Sequence, residues 1–380
     1  MPLDAPAFET PLHVGRPNIG SRERFLERVN DILDRRWLSN DGPLVRELEE
    51  RIAERMGVRH CLAMCNGTIA LEIAIRAVGM RDEVIVPSYT FVATAHALHW
   101  QGIVPVFADI DPDTHQIDPV AVERMITPRT TGILAVHLWG RSAPAAALEE
   151  IAERRGLELI FDAAHAFDCT FAGRPVGSHG RAEVLSFHAT KFFNTIEGGA
   201  VLTNDDDLAE RMRLMRNFGF AGEDNVIHPG TNGKLNEVSA AMGLTNLEAI
   251  EEVTATNREN AEAYAAVVSE VPGLRALPFE DSDRNNHQYV VLEVESGSQE
   301  VRDAIVARLR ENNVLARKYF WPGIHRMQPY RDLYPHAGLV LPHTEDVARR
   351  VIVMPSGTAV TTDDIRTIGG ILAEAMESAQ

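Results

Sequence analysis

From residue 45 onward the apolar positions alternate between two spacings. Val45, Leu48, Ile52 and Met56 recur at helical intervals, and Cys61-Leu62-Ala63-Met64 then runs apolar over the length of a strand. Residues 69–78 return to helical spacing. Glu83-Val84-Ile85-Val86 predicts a strand stopped by Pro87, residues 91–99 a helix, and Val104-Pro105-Val106-Phe107-Ala108 another strand. Residues 132–136, 158–161 and 182–187 continue the strand series, with a helix over about 144–154 between the first two. Such interleaving predicts an α/β fold with a mostly parallel sheet covered by helices on both faces.

Near residue 250 the texture changes to a polar helical stretch, 251–260. The expected division is a large α/β domain over 1–250, including the N-terminal segment, and a smaller α+β domain over 251–380. In the latter, 288–294 reads as a strand, and Val301, Ile305 and Leu309 mark a helix ending near Asn312 and Asn313. No internal repeat or low-complexity segment interrupts the chain.

Composition narrows the function. The 380 residues are 45% hydrophobic and 24% charged, enough for two domains with real cores. Lys plus Arg is 37 against 55 for Asp plus Glu, and 37 − 55 = −18 repels a polyanion unless a local basic groove exists. No Lys/Arg run supplies one, so nucleic acid is not an expected partner. An anionic small ligand would need a pocket made locally positive by backbone amides and a few basic side chains. Three cysteines, Cys61, Cys65 and Cys169, make no disulfide framework and fit a reducing cytoplasm. Met1-Pro2-Leu3-Asp4-Ala5-Pro6 has no basic start followed by an apolar stretch, and no apolar run has membrane-spanning length, so a soluble, unexported protein is expected. His60, Cys61 and Cys65 lack a second paired-ligand cluster, and no metal is expected.

One lysine stands apart. Lys191 follows the strand pattern of 182–187 in the run Ser186-Phe187-His188-Ala189-Thr190-Lys191, and ligands gather at strand carboxyl ends in open α/β sheets. A lysine near its free pKa of about 10.4 is a poor nucleophile, so a reactive one needs a pocket or a carbonyl cofactor. Asp162 directly follows another strand run, where a carboxylate would face the same pocket; an aspartate there also serves commonly as a helix N-cap. Asn66-Gly67-Thr68 lies where a strand hands over to a helix, a place suited to a phosphate dianion or simply to a threonine-capped turn. Phe91 offers a flat face near a helix start, where aromatics more often pack in the core.

Taken in order, Asn66-Gly67-Thr68, Pro87-Ser88-Tyr89-Thr90-Phe91, Asp162-Ala163-Ala164-His165, Ser186-Phe187-His188-x-x-Lys191 and Gly230-Thr231-Asn232-Gly233-Lys234-Leu235-Asn236-Glu237 resemble the DegT/StrS-type sugar aminotransferases of the aspartate aminotransferase superfamily. The resemblance implies the type I fold of pyridoxal 5'-phosphate enzymes and that cofactor. It makes Lys191 the residue that carries the cofactor and moves the proton, and Asp162 the partner of the pyridine nitrogen. It implies that His165 contacts the ring hydroxyl or packs on the ring face, and that Phe91 stacks on it. Ser186, Gly67 and Thr68 would bind the phosphate, which Asn232 would reach from the other subunit of a homodimer with a shared active site. His188 would touch substrate or support the site from behind. The segment 317–327, with Tyr319 and His325, resembles members that aminate C4 of dTDP-4-keto-6-deoxyglucose with glutamate as donor; C3 amination and a non-catalytic cofactor-binding regulator are the alternatives, and an exposed loop is the plain reading of that segment. Ile196 departs from the pattern, since many members have glycine there.

Overall fold

The structure, a computed structural model, describes residues 5–279 and 283–379; Met1 to Asp4 of the N-terminus read above lie outside them. A seven-stranded sheet forms the centre. Its strands lie side by side in the order His60–Met64, Gly199–Thr203, Ala182–Ser186, Glu158–Asp162, Thr130–Val136, Glu83–Pro87, Val104–Ala108. All run parallel except Gly199–Thr203, which is antiparallel to both neighbours.

Side-chain alternation explains why both faces are covered. Leu62, Val84, Val86, Leu134, Ile160 and Val184 project into one core cluster with Leu71 and Ile75 of the helix Gly67–Val78. Their strand neighbours turn the other way. Ile85, Ile133, Ala135, Leu159 and Phe161 pack with Leu148 and Ile151 of the helix Ala145–Arg155, while Cys61, Ala63 and Leu185 meet Leu48 and Ile52 of the helix Pro43–Met56. A strand buried on both faces must be apolar almost throughout, which is why these segments read as continuous runs.

A second sheet of three antiparallel strands joins Leu274–Ala276, Val290–Val294 and Val351–Met354. Ile305 and Leu309 of the helix Gln299–Glu311, Ile365 and Leu372 of the helix Thr362–Ala379, and Tyr264 and Val268 of the helix Ile250–Ser269 pack with it. The start of the N-terminal segment goes with this unit. Leu12–His13 pairs with Val314–Leu315, and Leu12 is buried in the same cluster, whereas Ile32 of the helix Arg22–Arg35 packs with the large domain, so the N-terminal segment is divided between the two units.

The parallel strands bring their carboxyl ends to one edge. Chain leaving Met64, Pro87, Val136, Asp162 and Ser186 therefore converges there, and Gly198 enters the antiparallel strand at the same edge.

Candidate active site

A cavity of about 340 Å³ opens at that edge, within the usual size of a small-ligand site. Gly67, Thr68, Phe91, Asp162, His165, Ser186, His188, Lys191 and Tyr319 all line it. Asn232 and His325 do not.

Lys191 is held by a turn in which its N–H donates to the His188 carbonyl at 2.8 Å. Burial lowers its amine to about 8, against the opposing pull of Asp162 and Tyr319, so a useful fraction is neutral near physiological pH. Asp162 caps no helix. Its Oδ2 accepts from the Thr94 hydroxyl at 2.8 Å and its Oδ1 from the Ala164 N–H at 3.1 Å. Burial raises its pKa despite these donors and the Lys191 charge. A buried carboxylate in that condition is stabilised by a cationic partner across the cavity.

The strand-to-helix turn is capped by Asn66 rather than Thr68: Asn66 Oδ1 accepts from the Ile69 N–H at 2.8 Å. The N–H groups of Gly67 and Thr68 have no protein partner among the described residues, as expected of a first helical turn. Glycine is favoured here by closeness. A Cβ on Gly67 would stand 3.0 Å from Ser186 Cβ and 3.3 Å from its hydroxyl. Two free amides, a helix dipole and two hydroxyls form an anion cradle at one end of the cavity, with Asp162 calling for a cation at another place in it.

Phe91 precedes its helix, which begins at Ala93, and it is 56% exposed with its ring 6.4 Å from that of Phe320, so it is a cavity wall and not core. His165 is buried, and its Nδ1 accepts from the Trp139 N–H at 3.2 Å. Burial, and secondarily the charge of Lys191, holds it well below the usual histidine range and therefore neutral. His188 is exposed at the mouth, with Nδ1 2.8 Å from the Thr190 hydroxyl and Nε2 3.6 Å from Glu197, which also lines the cavity.

The segment 317–327 is not an exposed loop. Phe320, Ile324 and His325 are buried, and the Tyr319 carbonyl accepts from the Tyr89 hydroxyl at 2.7 Å. His325 is corrected from a substrate contact to a structural pin. Its N–H donates to Ser88 Oγ at 3.1 Å, its Nδ1 is 2.7 Å from the same hydroxyl, and its Nε2 is 2.8 Å from Glu345. With both ring nitrogens engaged it has nothing left for a ligand. Asn232 lies exposed on a bridge to Asn217, outside the cavity of its own chain. His60 turns to Asp206 at 2.7 Å, Cys61 is buried in the core and Cys65 approaches the Asn232 carbonyl, so these three do not converge.

Thr94, Tyr289 and Glu197 escaped the sequence reading. Only Glu197 had a signal, its place in the Glu197-Gly198-Gly199 run; Thr94 is a small polar residue inside the helix Ala93–His99, and nothing in its spacing announces Asp162 as its partner.

The model of the DegT/DnrJ/EryC1/StrS aminotransferase family matches residues 20–373. The chain is 36% identical over 368 residues to the dTDP-4-amino-4,6-dideoxy-D-glucose transaminase of Shigella dysenteriae, covering 97% of this chain and 100% of that protein. It is 35% identical over 328 residues to the GDP-perosamine synthase of Caulobacter vibrioides, covering 85% and 87% of the two chains. The solved structure of DesI in the presence of its TDP-sugar product superposes with a TM-score of 0.93 at 49% identity, over 98% of this chain and 95% of that one.

Proposed function

The chain belongs to the DegT/DnrJ/EryC1/StrS aminotransferase family, and from that premise we propose that it uses pyridoxal 5'-phosphate to move an amino group from glutamate to C4 of dTDP-4-keto-6-deoxyglucose. The observation that carries the reading is the meeting of Lys191, Asp162 and the Gly67–Thr68 cradle in one cavity. When bound, the cofactor supplies an electron sink for the pair released as a proton leaves carbon.

The protein's own residues do the rest. The amides of Gly67 and Thr68, with the Ser186 and Thr68 hydroxyls, hold the phosphate dianion at the start of the helix Gly67–Val78. Asp162, oriented by Thr94 and Ala164, keeps a proton on the pyridine nitrogen, and that ion pair offsets the burial of its carboxylate. Phe91 covers a ring face. Lys191 Nζ, poised near neutrality by burial, takes and returns the proton in both halves of the reaction. Tyr319 and His188 border the space left for the sugar.

Among the described residues that line the cavity, Lys191 is the only lysine or arginine. A nucleotide diphosphate needs more positive charge or donors than that. The exposed Asn232, beside exposed Phe218, Phe220 and Ile227, supports a homodimer in which a second copy completes each site. The C4 assignment is supported by the transaminase named above, whose name carries a 4-amino-4,6-dideoxy sugar. Purified protein supplied with glutamate and a panel of nucleotide keto sugars tests it: turnover of the 4-keto sugar is expected, and turnover of 3-keto sugars alone would move the reading to C3.

A further inference from the structure

Trp139 breaks a conformational rule. Leu138 to Arg141 is a turn closed by Arg141 N–H donating to the Leu138 carbonyl at 3.0 Å, with Trp139 at φ 63, ψ 13 and Gly140 at φ 74. Turns of this form take Gly, Asn or Asp at the first central position. Here it holds a tryptophan with 0% exposure. An outlier kept at such a place points to a task.

Contacts on several sides pin the indole, among them a stack on the His165 ring at 5.9 Å and 15°. The indole Nε1–H donates to His115 Nδ1 at 3.3 Å, the indole ring stacks on Phe320 at 5.1 Å and 16°, and Tyr89 meets it edge-on at 6.3 Å. His115, accepting at Nδ1, carries its proton on Nε2 and donates to Glu293 Oε1 at 2.9 Å, where the Arg350 guanidinium also lands at 2.8 Å. With the side chain fixed, the main-chain N–H of Trp139 points at His165 Nδ1. A main-chain N–H can only donate. That nitrogen of His165 is therefore the acceptor and the ring proton sits on Nε2, which makes no hydrogen bond among the described residues, and His165 lines the cavity.

We propose that Trp139 is the positioning residue that sets the tautomer of His165, so that the cavity is always offered a neutral Nε2–H donor for an acceptor oxygen of its ligand. The naming of that ligand rests on the cofactor reading above; the tautomer does not. The geometry also states what position 165 tolerates: a side chain that accepts at its near end and donates at its far end. Glutamine does both, ionised glutamate cannot donate, and leucine does neither.

Nitrogen-15 histidine NMR on the full-length protein without added ligand, with His165 signals identified by their loss in His165→Gln, reads the tautomer directly. An unprotonated Nδ1 and protonated Nε2 are expected at neutral pH; the opposite tautomer, or a cation, overturns the proposal. Trp139→Ala is expected to leave the two tautomers averaging, and an unchanged tautomer there would remove Trp139 from the role. Should Trp139→Ala fail to fold, Trp139→Phe, which keeps the stack and loses the His115 bond, is expected to weaken the bias. On adding pyridoxal 5'-phosphate, His165→Gln keeps wild-type affinity while His165→Leu loses about tenfold, the worth of one hydrogen bond to a polar acceptor. Equal losses in both would mean the position is filled for shape alone.

Discussion

Single residues here are tuned by what burial removes. The Lys191 amine, lowered to about 8, is protonated below that value and neutral above it. The capture of pyridoxal 5'-phosphate by the cofactor-free protein should therefore speed up about tenfold per pH unit below 8 and level off above it. Stopped-flow absorbance across pH 6–9 checks the sign; a rate that falls with rising pH would contradict it. Ile196 is a different kind of residue. It is β-branched, 44% exposed and held at φ 70, where the left-handed backbone costs roughly 1–2 kcal/mol. Glycine relieves that strain but gains unfolded-chain freedom worth about 0.4–1 kcal/mol, so Ile196→Gly should stabilise the protein by about 0.5–1 kcal/mol in thermal melts. A lowered Tm would mean that the exposed isoleucine is packed against a second copy. Lys191, Asp162 and Gly67 were legible in the sequence because their chemistry shows at the ends of readable strands. Thr94 and Trp139 were not, since their roles exist only once distant segments meet.

At the level of elements, the site is a set of strand-to-loop handovers, and the clearest is Met64 to the helix Gly67–Val78. Asn66→Ala removes the Oδ1 that holds the Ile69 N–H and should cost about 1 kcal/mol of stability. It should also weaken cofactor retention, because the amides of Gly67 and Thr68 lose their fixed direction; unchanged retention by dialysis would show that the cradle does not depend on the cap. The parallel strands could be read from their apolar runs, and the helices over 43–56 and 67–78 from their spacing. The antiparallel strand Gly199–Thr203 could not. Its five residues are buried as in its neighbours, but no helix separates it from Ala182–Ser186, so the strand–helix alternation that marks the parallel strands is missing there. The pairing of Leu12–His13 with Val314–Leu315 is equally invisible, because it joins two-residue strands about three hundred positions apart.

For the whole molecule, no helix among the described residues is long and apolar enough to cross a membrane, and the charge of −18 leaves the cavity to supply its own positive field. If each site borrows Asn232 from a second copy, two inactive variants complement each other. Mixing Lys191→Ala with Asn232→Ala and letting subunits exchange would create sites in which both residues are present, about a quarter of the total for free exchange in a symmetric dimer. Recovery of activity towards that fraction is expected; none at all would confine each site to one chain.

The most direct measurement is reductive trapping. The protein loaded with pyridoxal 5'-phosphate is treated with borohydride, digested and read by mass spectrometry, with Lys191→Ala alongside. A cofactor-sized mass increment on the peptide containing Lys191, absent from the variant, is the expected result. An increment on a different lysine, or none on a protein that still transaminates, would contradict the assignment of this cavity.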